Sequence, residues 1–425
     1  MATAPSAPFP PDPLQLPNAR SSLATLLPLY VVVFVGFVGY SLMITVFTPM
    51  LLRSDSPLIA ASDPMAKRTV LLGVLLSLYP LGQFLGSPVM GALSDRFGRK
   101  PVLLISLVVT TTCYAVIAFS LDVRSLWLLA VASLLAGLGE ANIVTAQSAI
   151  ADVAPPKQRG RFFGYIYMSV SAAYIVGPLA GGKLADPRLV SWFSYATPFW
   201  MAFGLLVLTT AATALLFRET HRMSNRQPVP LLRTFTNLSG VITERRLRPL
   251  YWFNFLFYLA IFGFFRCYPM YLVDEFHLGV SRVSEFVAWV GLPIVIANLW
   301  LTSFLAARFS IRTLTVWSGL LTGVLTIVVV LPRLMAALWV TLFFASAALA
   351  VCLPCCATLL SNAADADDQG QVMGNNQALQ VGAEALSGLV GGLLAAVFVK
   401  LSLIVLGMVA IVAALLLKAH SKQQV

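Results

Sequence analysis

Twelve apolar runs, most of about twenty residues or more, follow one another along this chain, and short polar or charged stretches separate them. They occupy approximately 26–52, 70–93, 101–121, 126–151, 161–184, 196–217, 250–273, 283–307, 311–331, 334–361, 371–397 and 400–418. A run of ~20 apolar residues is the length of helix that crosses ~30 Å of hydrocarbon. There the backbone satisfies its own polar groups only within a helix or a closed barrel. One-sided periodicity adds little, because buried and lipid-facing positions are both apolar. Length and charged punctuation decide, and they predict an all-α membrane protein with twelve transmembrane helices.

Composition strengthens that reading. The chain is 59% hydrophobic and 11% charged, with a mean hydropathy of +0.85, where a soluble protein carries about 25% charged residues. The net charge of +11 would suit nucleic acid, but its distribution does not. Eighteen Lys and Arg fall on the side that contains residues 91–101, nine fall on the opposite side, and Arg266 lies inside a span. Such an excess marks a cytoplasmic face, and an even number of spans puts both termini there. Lipid headgroups, not nucleic acid, are the expected partners of the basic segments. The first ~20 residues, rich in Pro, Ala and Ser, predict a disordered tail over 1–25. No cleavable leader pattern precedes span 1, which is expected to act as an uncleaved insertion signal. Cys113, Cys267, Cys352, Cys355 and Cys356 all fall within spans. No His or carboxylate adjoins them to complete a metal site, so they read as packing residues, and no metal or other cofactor is expected.

The chain also repeats itself. Residues 148–164 align without gaps onto 358–374, so that Gly164 matches Gly374 and Asp152 matches Asn362. Arg96-Phe97 pairs with Arg308-Phe309, and Pro49-Met50 with Pro269-Met270. Two pseudo-symmetric six-helix bundles follow, over 26–217 and 250–418. An arginine-rich cytoplasmic linker (218–249) joins them and a short tail (419–425) ends the chain. Paired halves are the architecture of alternating-access transporters, with the substrate site near the midplane between them.

Two motifs give the architecture a family. Gly91-Ala-Leu-Ser-Asp-Arg-Phe-Gly-Arg-Lys-Pro101 reads as a charged hairpin loop between spans 2 and 3. It resembles the loop signature of the major facilitator superfamily. Gly177-Pro-Leu-Ala-Gly-Gly182 in span 5 is similar to a motif of the drug/proton antiporters of that superfamily, which include tetracycline and multidrug efflux proteins. The resemblance implies the major facilitator fold, a gating role for Asp95, Arg96, Gly98, Arg99 and Lys100, and a helix-packing seal at Gly177, Pro178, Gly181 and Gly182. Glycines permit close helix contact and Pro178 permits a bend. In the second half, Ala307, Ser310 and Ile311 replace Asp95, Gly98 and Arg99, so the latch is expected to rest on the first half. Two departures weigh against a tetracycline transporter as such. Ser133 stands where many antiporters carry arginine, and span 1 holds no acidic residue.

Ionisable residues at membrane depth are functional candidates by default. Glu140, midway along span 4, is the expected proton-coupling residue, since a carboxyl in a poorly hydrated cavity can load and release a proton near neutral pH. Gln147 shares its helical stripe. An ion pair of Glu140 with Arg266 is the structural alternative. Arg266 in span 7 suits a carboxylate or phosphate. With Asn254, Tyr258, Asn376, Gln380 and Glu384 it makes up the expected substrate cavity. Lys183, at the outer end of span 5, reads as a headgroup contact. The leading function is secondary active transport by alternating access, as proton-coupled efflux of small amphipathic molecules. The alternative is proton-coupled uptake of an anionic solute such as a carboxylate, metabolite or siderophore. A string at 137–141 that resembles lysolipid and sphingolipid transporters adds a weaker third option. No nucleophile–base arrangement or phosphate loop suggests an enzyme. A monomer in the cell (inner or plasma) membrane is expected, with a small-molecule substrate and protons as its partners.

Overall fold

The computed structural model describes the backbone of residues 19–54, 56–153, 159–220, 246–364 and 369–422. Among the described residues, twelve helices are long and apolar enough to cross a membrane, and strands are absent. They are α1 (Leu26–Leu52), α2 (Met65–Phe97), α3 (Arg99–Asp122), α4 (Leu126–Val153), α5 (Phe162–Leu184), α6 (Thr197–Leu216), α7 (Arg248–Phe276), α8 (Val280–Ala306), α9 (Ile311–Val328), α10 (Met335–Ala363), α11 (Gln371–Val397) and α12 (Val399–Ala419). All twelve predicted spans are present, and the protein is a multi-pass membrane protein of two six-helix bundles. The helix that carries α1 begins at Ala19, so the end of the expected tail is helical. Most of the expected linker, 221–245, lies outside the described residues.

The hairpin expected over 91–101 needs correction. α2 continues to Phe97 and α3 begins at Arg99, which leaves Gly98 alone as the turn. The charged side chains reach outward from the helix ends, so the backbone has no need to unwind. Gly98 takes φ 95° and ψ 159°, a conformation open to glycine, and its N–H donates to Ser94 O at 3.1 Å. The carboxylate of Glu219 accepts from the N–H groups of Arg99 (2.9 Å) and Lys100 (3.0 Å). It thereby satisfies donors that a helix start leaves orphaned and complements the positive end of the α3 dipole. Lys100 Nζ donates to Ala214 O at the end of α6 (2.7 Å). The membrane face that holds Gly98 is called the loop face below, and the opposite one the far face.

Small residues set the packing, as expected where lipid removes the hydrophobic drive between helices. Gly137 of α4 lies on the backbone of Tyr79 in α2. Gly73 of α2 is so close to α11 that a Cβ there would stand 2.6 Å from Gly388 O and 2.8 Å from Gly392 Cα. The same crowding holds for Gly182 of α5 against Ser284 of α8. The α2–α11 and α5–α8 contacts join the two bundles, and both lie on the far-face side of the midplane. Toward the loop face, Gly164 of α5 and Gly374 of α11 have nothing within 4 Å of where a Cβ would stand. Among the described residues, these close cross-bundle glycine contacts thus lie toward the far face. Arg68, buried at the start of α2, anchors the far-face connection between α1 and α2. It donates to the carbonyls of Leu51 (3.1 Å), Ala60 (2.7 Å) and Asp63 (3.2 Å).

Replacing Gly98 with alanine forces a Cβ into a glycine-only conformation, 2.6 Å from Glu219 Oε2. The expected loss is about 1–3 kcal/mol, read as a lower thermal unfolding midpoint in detergent. Alanine at Gly164, where space is open, is expected to leave that midpoint unchanged or raise it.

Candidate transport site

α1, α2 and α4 enclose a small cavity at the midplane, lined by Gly36, Tyr40, Tyr79, Gln83 and Glu140 and with room for about one water. Glu140 ends the first segment of α4, and the helix tightens into a turn at Ala141 before it resumes at Asn142. Irregular backbone at membrane depth is tolerated where protein or a cavity surrounds it. Helix α1 supplies the space. The Glu140 carboxyl sits directly against Gly36, in the volume that any side chain there would fill, and the Tyr114 hydroxyl lies against Gly39. Glu140 is 6% exposed and its Oε2 has no hydrogen-bond partner.

Arg266 does not pair with Glu140. Its guanidinium, 1% exposed, lies 3.5 Å from Glu384 Oε1 on α11. It donates to the Tyr40 hydroxyl of α1 (2.6 Å), to Ser387 Oγ (3.0 Å) and to Phe262 O (3.3 Å). Tyr40 in turn donates to Glu384 Oε1 at 2.5 Å. The two residues share the second bundle, and Tyr40 ties them to the first. The sequence-based case for an anionic substrate needed an uncommitted arginine, and this one is already matched in charge. Tyr40 also stacks on Tyr79, with ring centroids 4.8 Å apart and 17° between planes. One continuous set of contacts therefore runs from Glu140's cavity to Arg266.

The remaining cavity candidates fall into two groups. Asn254, Tyr258 and Asn376 bond to each other. Asn254 Nδ2 donates to Asn376 Oδ1 (2.8 Å) and Asn376 Nδ2 donates to the Tyr258 hydroxyl (3.1 Å). Much of their hydrogen-bonding capacity is spent joining α7 to α11. Gln147 and Gln380 are half-buried. Gln147 lies a turn beyond Ile143, toward the loop face, and does not line the Glu140 cavity.

At the loop face Arg99 is buried and matched twice. It bonds Asp95 (2.5 Å) and Asp152 at the end of α4 (2.9 Å), and it also reaches Ser94 Oγ (2.8 Å). Arg96 stands outward near the ring of Phe97, with 5.1 Å to its centroid. Gly177 and Gly181 of α5 pack on Ser41 and Leu42 of α1, while Gly182 meets Ser284 of α8. Next to them Lys183 is bound across the bundles, to Glu285 (2.6 Å) and Ser281 (2.8 Å) of α8. That corrects its reading as a headgroup contact. Sequence reasoning missed Tyr40, Glu219 and Glu285. A tyrosine just after Gly36 and Gly39 at the middle of an apolar span was the available signal for the first. The other two carry none, because Arg99 and Lys100, which Glu219 caps, and Lys183, which Glu285 binds across the bundles, lie more than 100 residues away.

A family model described as Major Facilitator Superfamily matches residues 29–297 and 250–423. The chain belongs to the major facilitator superfamily. Its superfamily makes it a secondary transporter of small molecules and not an enzyme. It is 31% identical over 356 residues to the tetracycline resistance protein, class C, of Escherichia coli, across 80% of this chain and 82% of that one. It is 24% identical over 306 residues to the quinolone resistance protein NorA of Staphylococcus aureus (strain MSSA476), across 71% and 72% of the two chains. Among solved structures, a bacterial homolog of the human lysosomal transporter Spinster, inward-facing and unoccupied, matches with a TM-score of 0.77 at 15% identity. That match covers 96% of this chain and 98% of the other, and it supports the superfamily fold alone.

Removing one partner of a buried ion pair costs about 3–5 kcal/mol. Arg266→Ala is therefore expected to lower the unfolding midpoint in detergent sharply. Arg266→Ala combined with Glu384→Ala should lose clearly less than the two single losses added together.

Proposed function

We propose that this transporter exports small amphipathic molecules in exchange for protons, with Glu140 as the group that carries the proton. One observation supports this above the rest: a carboxyl at mid-membrane, against Gly36, with Oε2 unpartnered and a water-sized space beside it. An unpaired charge in such a place is costly, so the group is poised to take up a proton and to give it back when water or a substrate arrives. Its relatives, tetracycline and quinolone resistance proteins, favour export of amphipathic drugs. The internal neutralisation of Arg266 disfavours an anion as the cargo. Stacked Tyr40 and Tyr79 beside the cavity suit a flat, partly apolar molecule.

In this reading the loop face is cytoplasmic, as the basic excess there requires, and both termini lie in the cytoplasm of a cell whose inner or plasma membrane holds the protein. It works as a monomer, and residues 218–249 connect two rocking halves. The structure then corresponds to a state open to the cytoplasm. Asp95, Arg99 and Asp152 keep the cytoplasmic ends of α2, α3 and α4 together as one gate element, with Arg96 at the headgroups and Lys100 bonded to the end of α6. Gly177, Pro178, Gly181 and Gly182 let α5 seal the far face against α1 and α8. Half-buried Gln147 and Gln380 belong to the walls of the cytoplasmic cavity, and buried Asn254, Tyr258 and Asn376 brace α7 against α11 behind them.

The test uses purified protein in liposomes with an imposed pH gradient and either tetracycline or a fluoroquinolone as probe. Export requires the probe to move against the proton flow. Glu140→Gln is expected to lower gradient-driven transport at least ten-fold while exchange of probe across the membrane persists. Probe movement in the same direction as protons would replace antiport with symport. Full driven transport by Glu140→Gln would remove Glu140 from the mechanism.

A further inference from the structure

We propose that Glu384 is a second proton-binding site, and that the Tyr40–Glu384–Arg266 bond set is the mid-membrane link whose protonation lets the far face open. The proposal deepens the antiport reading but rests on different residues in the other bundle. Arg266 and Glu384 belong to α7 and α11, and Tyr40 belongs to α1. Tyr40's hydroxyl accepts from Arg266 and donates to Glu384, so one oxygen joins the halves by two charge-assisted bonds. The link sits at the inner limit of the far-face seal. Beyond it lie Gly73 against Gly388 and Gly392, and Lys183 against Glu285. The far face cannot part while Tyr40 holds both groups.

Glu384 is the member of this set whose charge can change. Arginine keeps its proton throughout. The groups facing Glu384 are Tyr40 from α1, Tyr174 from α5 and Arg266 from α7, with Tyr79 of α2 stacked behind Tyr40 and Ser387 bonded to the Glu384 carbonyl. Two tyrosines and one arginine therefore surround a single carboxylate. In the antiport cycle the proton arrives from the far side and adds to a Glu384 carboxylate oxygen, and no other bond is made or broken covalently. The oxygen that accepted from Tyr40 and faced Arg266 loses its charge. Both interactions weaken together, and Arg266 must turn to water, which is available only when the bundles separate. Release of the proton at the loop face restores the carboxylate and redraws Tyr40 and Arg266 together, which holds the far face closed again. Glu140 contributes nothing to this link, because α4 lies on the other side of the Tyr40–Tyr79 stack.

The experiment reads the distance between the bundles at the far face. Spin labels are placed on the full-length protein in nanodiscs through Leu189→Cys and Arg333→Cys. These are exposed positions at the far-face ends of the first and second bundles, and the five native cysteines are buried. Lowering the pH is expected to shift the distance distribution from a short to a long population. Glu384→Gln should abolish the shift and populate the long distance at all pH values. Glu140→Gln should retain it. Tyr40→Phe, which removes only the hydroxyl, should raise the long fraction about ten-fold at neutral pH. Should Glu384→Gln fold poorly beside an unmatched Arg266, Arg266→Gln with Glu384→Gln removes both charges and is expected to be equally insensitive to pH. A wild-type shift that survives in both the single and the double variant overturns the proposal, as does a wild-type protein without any shift. If Glu140→Gln abolishes the shift while Glu384→Gln keeps it, this inference fails and the Glu140 reading stands. Driven transport unaffected by Glu140→Gln, with the pH shift lost in Glu384→Gln, does the reverse.

Discussion

An arginine that cannot give up its proton, placed past the middle of a hydrocarbon layer, governs the arrangement of this protein's centre. Arg266 must find a counter-charge and acceptors within reach of its fork, or the helix that carries it cannot sit where it does. Glu384 answers on α11, Ser387 one turn later fills another donor, and Tyr40 completes the set from the opposite bundle. The depth and rotation of α7 relative to α11 and α1 follow from that demand. So does the substrate argument. An arginine already matched by a carboxylate does not attract an anion as a bare one would.

The same rule operates at the two membrane faces with different consequences. Arg99 is buried, and its partners Asp95 and Asp152 both belong to the first bundle. Bonds of this kind stiffen one body and need never break during a rocking motion. Lys183 and Glu285 belong to different bundles, so their bond exists only while the far face is closed. Partly exposed pairs like this one contribute little stability. A weak cross-bundle bond suits a contact that must be undone in every cycle. The second half shows what is lost without the first half's charges. Arg308, the counterpart of Arg96, packs over the ring of Phe304 at 3.7 Å, and Ala307 and Ile311 give no counterparts to Asp95 and Arg99.

The fold was legible because hydrocarbon thickness imposes a length on every span, and length survives in a single sequence. All twelve helices are found where apolar runs and charged punctuation place them. The junction at Gly98 was read too loosely, since charge shows that a segment meets water but not that its backbone unwinds. The depth of Glu140, Arg266 and Glu384 was also legible, from counting along each run. Their partners were not. A hydropathy pattern says how deep a residue lies and nothing of which helix faces it, so the sequence offered Glu140 as the partner of Arg266 where the structure has Glu384. Helix rotation decided between them, and rotation is set by contacts such as Gly36 on Glu140 and Gly137 on Tyr79.

Two carboxyls at one depth, in opposite bundles, thus have opposite surroundings. Glu384 is held by a permanent cation and a tyrosine. Glu140 is held by shape alone, in a recess that Gly36 leaves open. A group fixed by charge resists leaving its partner, while a group fixed by shape changes state at the cost of its own desolvation only. The Tyr40–Tyr79 stack separates the two and touches both neighbourhoods. Motion of α1 against α11 therefore alters both surroundings at once. Tyr40 leaves Glu384, and Gly36 travels with the same helix past Glu140. A single rigid helix that contacts both carboxyls is enough to connect the opening of one to the exposure of the other, without any longer chain of intermediaries.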